Sequence, residues 1–269
     1  MAARELILAD LTSVADLRSS AALGAIGREL DRDPDLRMLR FGTSDPPRES
    51  ITSAEAALRE WRPSPKDEGR PWRFHMSRKD APQGRASVDV TTLDPTKALY
   101  EHSVSASYLA SWFSTPERRD QLAALLIRLA LAARAFYGKA ALGSIFDQHN
   151  LELDRAGAPP PDYEREIPDI YWLNYFGPEY VDFFGPRLEG LGVRRERTPG
   201  GGVLIWATET PFVFEPGRGV ADYEFKKLFY EALGRETFRS AGQRRGATGV
   251  HVPTHAAHSA RPPGSSRPL

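Results

Sequence analysis

The stretch IYWLNYFGPEYVDFFG, from Ile170 to Gly185, places seven aromatic side chains in sixteen residues. So many large rings in a short segment must be buried or must bind something. The half from Ile170 to Phe176 is rich in aromatic and branched residues and predicts a strand, which ends at Gly177. Pro178 suits the first position of a helix, so we expect a short helix over Glu179 to Phe184. The segment therefore predicts a strand that leads directly into a short helix.

The strongest helix prediction outside this segment covers Pro116 to Tyr137. Thr115 is a suitable N-cap, Pro116 fits the first helical position, and Gly138 is expected to end the helix. Apolar residues recur along one face at helical spacing, which is typical of a helix that packs on a sheet. These residues are Leu122, Leu125, Leu126, Leu129, Ala133 and Phe136.

The rest of the chain alternates between runs of strands and runs of helices. Further helices are predicted at Ala21 to Leu30, Ala54 to Trp61 and Asp222 to Leu233. Strands are predicted at Glu5 to Ala9, Leu36 to Phe41, Trp72 to Met76, Ala86 to Thr91, Tyr100 to Ser107 and Lys139 to Ile145, and as a hairpin of Val193 to Arg197 and Val203 to Thr208. Without a regular βαβ alternation, this pattern predicts one α+β domain over residues 1 to 239, with a mainly antiparallel sheet covered by helices. Residues 240 to 269 have few large apolar side chains and predict a disordered tail.

Composition indicates an ordinary globular protein, with 41% hydrophobic and 27% charged residues. The chain has no cysteine, which excludes disulfides and thiolate metal sites. The first ten residues contain Glu5 and Asp10 and do not resemble a secretory signal. The longest apolar run, Leu122 to Phe136, includes two arginines and is shorter than the roughly 20 residues that span a bilayer. We therefore expect a cytoplasmic protein without a membrane segment.

The formal net charge of zero hides a division between the body and the tail. Residues 240 to 269 carry four arginines and no acid, so the other 239 residues hold 32 basic and 36 acidic side chains, a net charge of −4. From Asp147 to Glu189 the net charge is −7, around the aromatic segment. An acidic body offers phosphate groups no electrostatic footprint, so no nucleic-acid partner is expected.

The candidate chemical motifs are weak. Asp147, His149 and Glu152 are residue types that can ligate divalent ions, but no histidine has an HExxH spacing, so no metal site is predicted. The glycines at 200 to 202 lead into a strand, which predicts a hairpin turn and not a phosphate site. Serines at 103, 105 and 107 alternate along a strand without a GxSxG motif. No catalytic residue and no cofactor are predicted.

A resemblance adds a functional expectation. The run from Tyr171 to Val181, followed by Gly185, the glycines at 200 to 202 and the strand from Val203, resembles the C-terminal half of bacterial immunity proteins. The similar families are the immunity protein 52 family and the type VI secretion immunity family, and the similarity extends over about Phe136 to Phe238. The positions that match the motif are Trp172, Asn174, Phe176, Gly177, Gly185 and Gly202. The resemblance implies a non-catalytic protein that binds and neutralises a cognate secreted toxin, such as a nuclease effector, in the cytoplasm.

If the toxin is a nuclease, its active-site surface must be basic, and an acidic surface on this chain would match it in charge. Tyrosines are interleaved with the acids around the aromatic segment, a composition typical of interface anchors. The expected partner-binding residues are Asp162, Tyr163, Glu164, Glu166, Asp169, Tyr171, Tyr175, Glu179 and Asp182. Two alternatives stay open: a hydrolase that uses Asp147, His149 or the acids from 162 to 169, and a binding module for some other protein. An adjacent gene that encodes a secreted toxin would favour the immunity hypothesis.

Overall fold

Strand β1, Leu6–Ser13, lies inside the sheet and pairs with a strand on each side. The structure is a computed structural model that describes residues 5–13, 15, 17–62, 72–90, 102–155, 166–213 and 223–238. Side chains of β1 alternate between the two faces of the sheet, as in any strand. Ile7, Ala9 and Leu11 are buried on one face, whereas Leu8 and Asp10 are only partly buried on the other.

The ten strands of the described residues form one sheet in which every neighbouring pair is antiparallel. After β1 they are β2 (Arg40–Gly42), β3 (Glu49–Ser50), β4 (Trp72–Arg78), β5 (Gly84–Val90), β6 (His102–Leu109), β7 (Ala135–Leu142), β8 (Leu173–Phe176), β9 (Arg195–Arg197) and β10 (Val203–Trp206). Their order across the sheet is β3-β2-β4-β5-β6-β1-β7-β8-β10-β9. The predicted antiparallel α+β domain is confirmed.

Helices cover both faces of this sheet, but not to the same extent. They are α1 (Ser20–Asp31), α2 (Ala54–Glu60), α3 (Pro116–Ala133), α4 (Gly143–Arg155), α5 (Pro178–Phe184), α6 (Pro186–Glu189) and α7 (Glu224–Leu233). The first three pack on one face and share a core with alternate residues of β1, β4, β5, β6, β8 and β10. On the opposite face, α5, α6 and α7 bury a second core against β7, β8 and β10. Helix α4 packs against β1 and β7.

Most predicted elements are confirmed with shifted bounds. The α2 N-cap is Ser53, whose side chain accepts a hydrogen bond from the Ala56 amide, and Thr115 caps α3 in the same way. The strand predicted from Leu36 is shorter and begins at Arg40. Trp172 and Trp206 are buried, as expected for large aromatic residues in core strands.

The predicted end of α3 is wrong. The helix ends at Ala133, because Arg134 adopts the left-handed conformation with φ 50° and ψ 46°. Phe136 and Tyr137 therefore belong to β7, where both rings enter the second core. The hydroxyl of Ser13 donates to the Ala133 carbonyl over 2.6 Å and holds this turn against β1. The chain after Leu142 forms α4, which the sequence analysis did not predict.

None of the described helices is both long enough and apolar enough to cross a membrane. The predicted tail, from residue 240 onward, lies outside the described residues.

Candidate functional site

The aromatic segment is a core element, and this corrects the expected partner surface. Tyr171, Tyr175 and Asp169 are 1, 2 and 3% exposed, so their side chains are closed to a partner at the surface of this chain. Tyr171 stacks on the Phe146 ring at 4.9 Å, beneath α4. Phe176 lies among the rings of other aromatic residues in the second core. Burial in the two cores accounts for the density of rings in this segment.

The residues that match the immunity motif shape the chain around β8. The Asn174 side chain is fully buried, accepts a hydrogen bond from the Tyr171 amide at 2.9 Å and donates to the Tyr171 carbonyl at 2.8 Å. At Gly177 a Cβ atom would lie 2.8 Å from the Phe136 backbone, so only glycine permits this close approach to β7. Gly202 is buried beside the Tyr175 ring, and Gly185 ends α5 with a φ of 53°. In this structure these positions are structural.

Asp169 lies in a buried polar cluster that joins three elements. Its carboxylate accepts hydrogen bonds from Lys226 Nζ at 2.5 Å, from Tyr230 Oη at 2.8 Å and from the Ile170 amide at 2.7 Å. His149 Nδ1 lies 3.4 Å from the same carboxylate. Lys226 is 0% exposed, and the residues around it are 8% exposed or less. We define the Asp169 cluster as Asp169, His149, Lys226 and Tyr230.

Burial governs the protonation states in the Asp169 cluster. It lowers the pKa of His149, against the opposing effect of the Asp169 charge, and so favours the neutral imidazole. Burial also lowers the pKa of Lys226, although Asp169 acts in the other direction. The pKa of Tyr230 is raised by burial and by the nearby Asp169 charge, so its hydroxyl stays a donor. The arrangement ties α4 and α7 to the aromatic segment through one enclosed carboxylate.

The remaining expected partner residues are divided between the surface and the part of the chain outside the described residues. Asp182 is exposed and Glu179 partly exposed on the solvent side of α5, whose Tyr180 and Phe184 face the core. Glu166 is partly exposed. Asp162, Tyr163 and Glu164 fall outside the described residues. Asp182 therefore lies at the surface of α5.

A polar row crosses the face of the sheet opposite α1, α2 and α3. Strand pairing places its residues side by side. The residues before and after each of them along the same strand point to the other face of the sheet, into the core. In order across β4, β5, β6, β1, β7 and β8 the row reads His75, Ser87, Ser105, Asp10, Lys139 and Asn174. Of the three alternating serines of β6, only Ser105 belongs to this row. Asp10, Ser87 and Lys139 carry no motif in the sequence that marks them as site residues.

The part of this row from His75 to Lys139 forms the floor of a groove with a volume of about 430 Å³. We call it the Asp10 groove. One wall is α4, through Phe146, Asp147 and Asn150, and the other includes Asp45 and Pro47. Its floor is low because serine side chains are small, and Ser87 and Ser105 hydrogen-bond to each other at 2.7 Å. A groove of this size is typical of a small-ligand or side-chain binding site.

The charges around the Asp10 groove are unevenly paired. Arg85 forms an ion pair with Asp45 at 3.3 Å on the rim. Lys139 lies over the rings of Phe146 and Tyr171, with Nζ 4.9 and 5.2 Å from their centroids. Burial raises the pKa of Asp10, while the Lys139 charge acts to lower it. Among the described residues, no donor forms a hydrogen bond with the Asp10 carboxylate.

Comparisons with known proteins give a structural match only. No protein family model matches the chain, and no curated protein matches it. The fold is similar to the solved structure of the Pseudomonas aeruginosa T6SS protein PA0821, with a TM-score of 0.56 and 14% sequence identity. The match covers 94% of this chain and 80% of that one. This likeness shows a shared fold over almost the whole chain.

Proposed function

We propose that this chain is an immunity protein of a type VI secretion system, which binds a cognate toxin in the cytoplasm and neutralises it. The observation that supports this proposal most directly is the fold shared over 94% of the chain with a T6SS protein. The motif around β8 that resembles immunity families is consistent with it, since Trp172 packs in the first core of this fold and Phe176 in the second.

The placement of polar groups supports a binding function over a hydrolytic one. His149 and Asp169, two of the residues that the hydrolase alternative could use, are 6 and 3% exposed, and Asp169 is paired with Lys226. Their hydrogen bonds stabilise the interior, whereas general acid and base residues must reach a substrate. The Asp10 groove and the acids of α5 are, in contrast, open to a partner.

The negative charge of this part of the chain favours a partner with a basic surface. Glu179 and Asp182 on α5 lie in the most acidic part of the chain, between Asp147 and Glu189. A toxin with a basic active-site surface would be steered toward these acids, since complementary fields raise association rates. The acids at 162, 164 and 166 remain predicted members of this surface.

The test is co-expression with the secreted protein encoded beside this gene. We expect this chain to restore growth of cells that produce the toxin, and the purified chain to bind a catalytically inactive toxin. Absence of both protection and binding would contradict the proposal. Turnover of a substrate by the isolated chain would favour the hydrolase alternative.

Charge reversal tests the steering step. The double variant Glu179→Lys and Asp182→Lys should slow association on the order of tenfold at low salt, with a smaller effect at high salt. The matched control is Glu49→Lys with Glu60→Lys, two exposed acids on β3 and α2. An equal effect of both double variants would show a nonspecific response to net charge.

A further inference from the structure

We propose that the Asp10 groove receives one arginine or lysine side chain of the toxin, with its cationic group on the Asp10 carboxylate. The identity of the partner rests on the proposed function; the preference of the groove for a cation does not. In the polar row, Asp10 lies between Ser105 and Lys139 on the neighbouring strands.

The side chains that line the groove carry more negative than positive charge. The carboxylates that line it are Asp10, Asp45 and Asp147, and the cationic side chains are Arg85 and Lys139. Arg85 is paired with Asp45, so Lys139 alone is left to balance the other two carboxylates. Asp147 is exposed and, among the described residues, has no ion pair or hydrogen bond of its side chain. One further positive charge would complete the pairing.

The Asp10 carboxylate has a geometric reason to accept this charge. It is partly buried on a strand that lies inside the sheet, and no hydrogen bond to it is formed within the described residues, although Ser105 and Lys139 are its neighbours on the adjacent strands. A partly desolvated carboxylate without a donor is costly, and a charge-assisted hydrogen bond from a guanidinium or ammonium removes that cost. The serine hydroxyls beside it can accept the remaining donors of an arginine.

The walls suit the rest of such a side chain. Phe146 lines the groove on the α4 side and offers apolar surface to the methylene groups of arginine or lysine. The volume of about 430 Å³ is sufficient for one long side chain and its immediate neighbours. An anionic side chain would instead meet Asp10 and Asp147, and repulsion from two carboxylates would oppose its entry.

The first experiment uses small probes and needs no toxin. N-acetyl-L-arginine methylamide is compared with N-acetyl-L-citrulline methylamide, which has the same shape but a neutral urea group. We expect the arginine probe at millimolar concentration to shift the NMR amide signals of Ser87, Ser105 and Lys139, and the citrulline probe to leave them unchanged. Equal shifts with both probes, or none with either, would overturn the inference.

Two variants localise the effect. Asp10→Asn removes the charge at constant size and should abolish the shifts caused by arginine. Asp80→Asn is the matched control, since Asp80 is an exposed acid in the turn between β4 and β5 and does not line the groove. Retained shifts in Asp10→Asn, with a native fold by its other amide signals, would place the binding elsewhere.

The second experiment measures affinity for the inactive toxin. Asp10→Asn should weaken binding about tenfold or more, whereas Asp80→Asn should change it less than about twofold. Equal affinity of wild type and Asp10→Asn would overturn the inference and leave the proposed function intact. If the wild type does not bind the toxin, the proposed function fails, and the probe experiment alone then decides whether the groove binds cations.

Discussion

Replacing Lys226 by methionine tests how much the buried ion pair between Lys226 and Asp169 stabilises the fold. The substitution keeps the length of the side chain and its apolar stem but removes the ammonium group, which lies 2.5 Å from Asp169 Oδ2. Lys226 is 0% exposed and the Asp169 side chain 4% exposed, so water cannot replace the lost partner. Breaking such a buried pair costs about 3 to 5 kcal/mol of unfolding free energy. Because Asp169 keeps donors in Tyr230 and Ile170, we expect about 3 kcal/mol.

A double-mutant cycle separates this interaction from general damage. Asp169→Asn alone should also be costly, since it leaves the ammonium without its carboxylate. The double variant should cost about 2 kcal/mol less than the sum of the two single variants, because neither charge then remains unpaired. The matched control is Lys227→Met on the same helix, where Lys227 is exposed and pairs with Glu224; a change below about 0.5 kcal/mol is expected there.

Urea unfolding at pH 7, followed by circular dichroism and by tryptophan fluorescence, measures the unfolding free energies of the wild type, the two single variants, the double variant and the control. A loss below about 1 kcal/mol for Lys226→Met would show that the ammonium is not buried beside Asp169. A coupling energy near zero would show that the two groups do not interact, even if each single variant is destabilised.

Three further predictions concern the core, the histidine and the groove. Leu126→Ala on α3 should cost about 2 to 5 kcal/mol, because Leu126 is 1% exposed, whereas Leu151→Ala at a 48% exposed position should cost less than about 0.5; similar values in urea unfolding would place that face of α3 outside the core. Burial lowers the pKa of His149 from 6.5, so the unfolded state binds this proton more tightly and stability should fall as the pH drops below about 6.5. The pH dependence should be flatter in His149→Gln, and an unchanged slope would mean that other groups cause it. Burial raises the pKa of Asp10, so its ionised form opposes folding at neutral pH; Asp10→Asn should raise the urea midpoint at pH 7, and a lower midpoint would contradict this sign.

Local chemistry accounts for the elements that could be predicted. The caps Ser53 and Thr115, the proline at the start of α3 and the glycines before β10 act within a few residues, so their effect is visible in the sequence. The end of α3 was not predictable in this way. The helix ends with Arg134 as its C-cap, although arginine has no preference for positive φ. The residues that follow Arg134 pair with β1 and pack in the second core, and these distant contacts stabilise the end of the helix there.

The candidate site was less accessible to sequence reasoning, for a related reason. The tyrosines and Asp169 are close to acids in the sequence, which favoured a surface assignment, but packing on both faces of the sheet buries them. A buried Asp169 requires a cation, and that cation is Lys226, 57 residues away along the chain. No local pattern connects these two positions.

By itself, the sequence determined the class of the fold, most of its elements and the burial of Trp172 and Trp206, because hydrophobic periodicity, caps and turn residues are local properties. Tertiary structure alone decided which polar residues meet. The Asp10 groove is built from His75, Ser87, Ser105, Asp10 and Lys139, whose order across the sheet differs from their order along the chain. Strand pairing sets that order through hydrogen bonds between distant segments, and such pairings leave no signal in a single sequence.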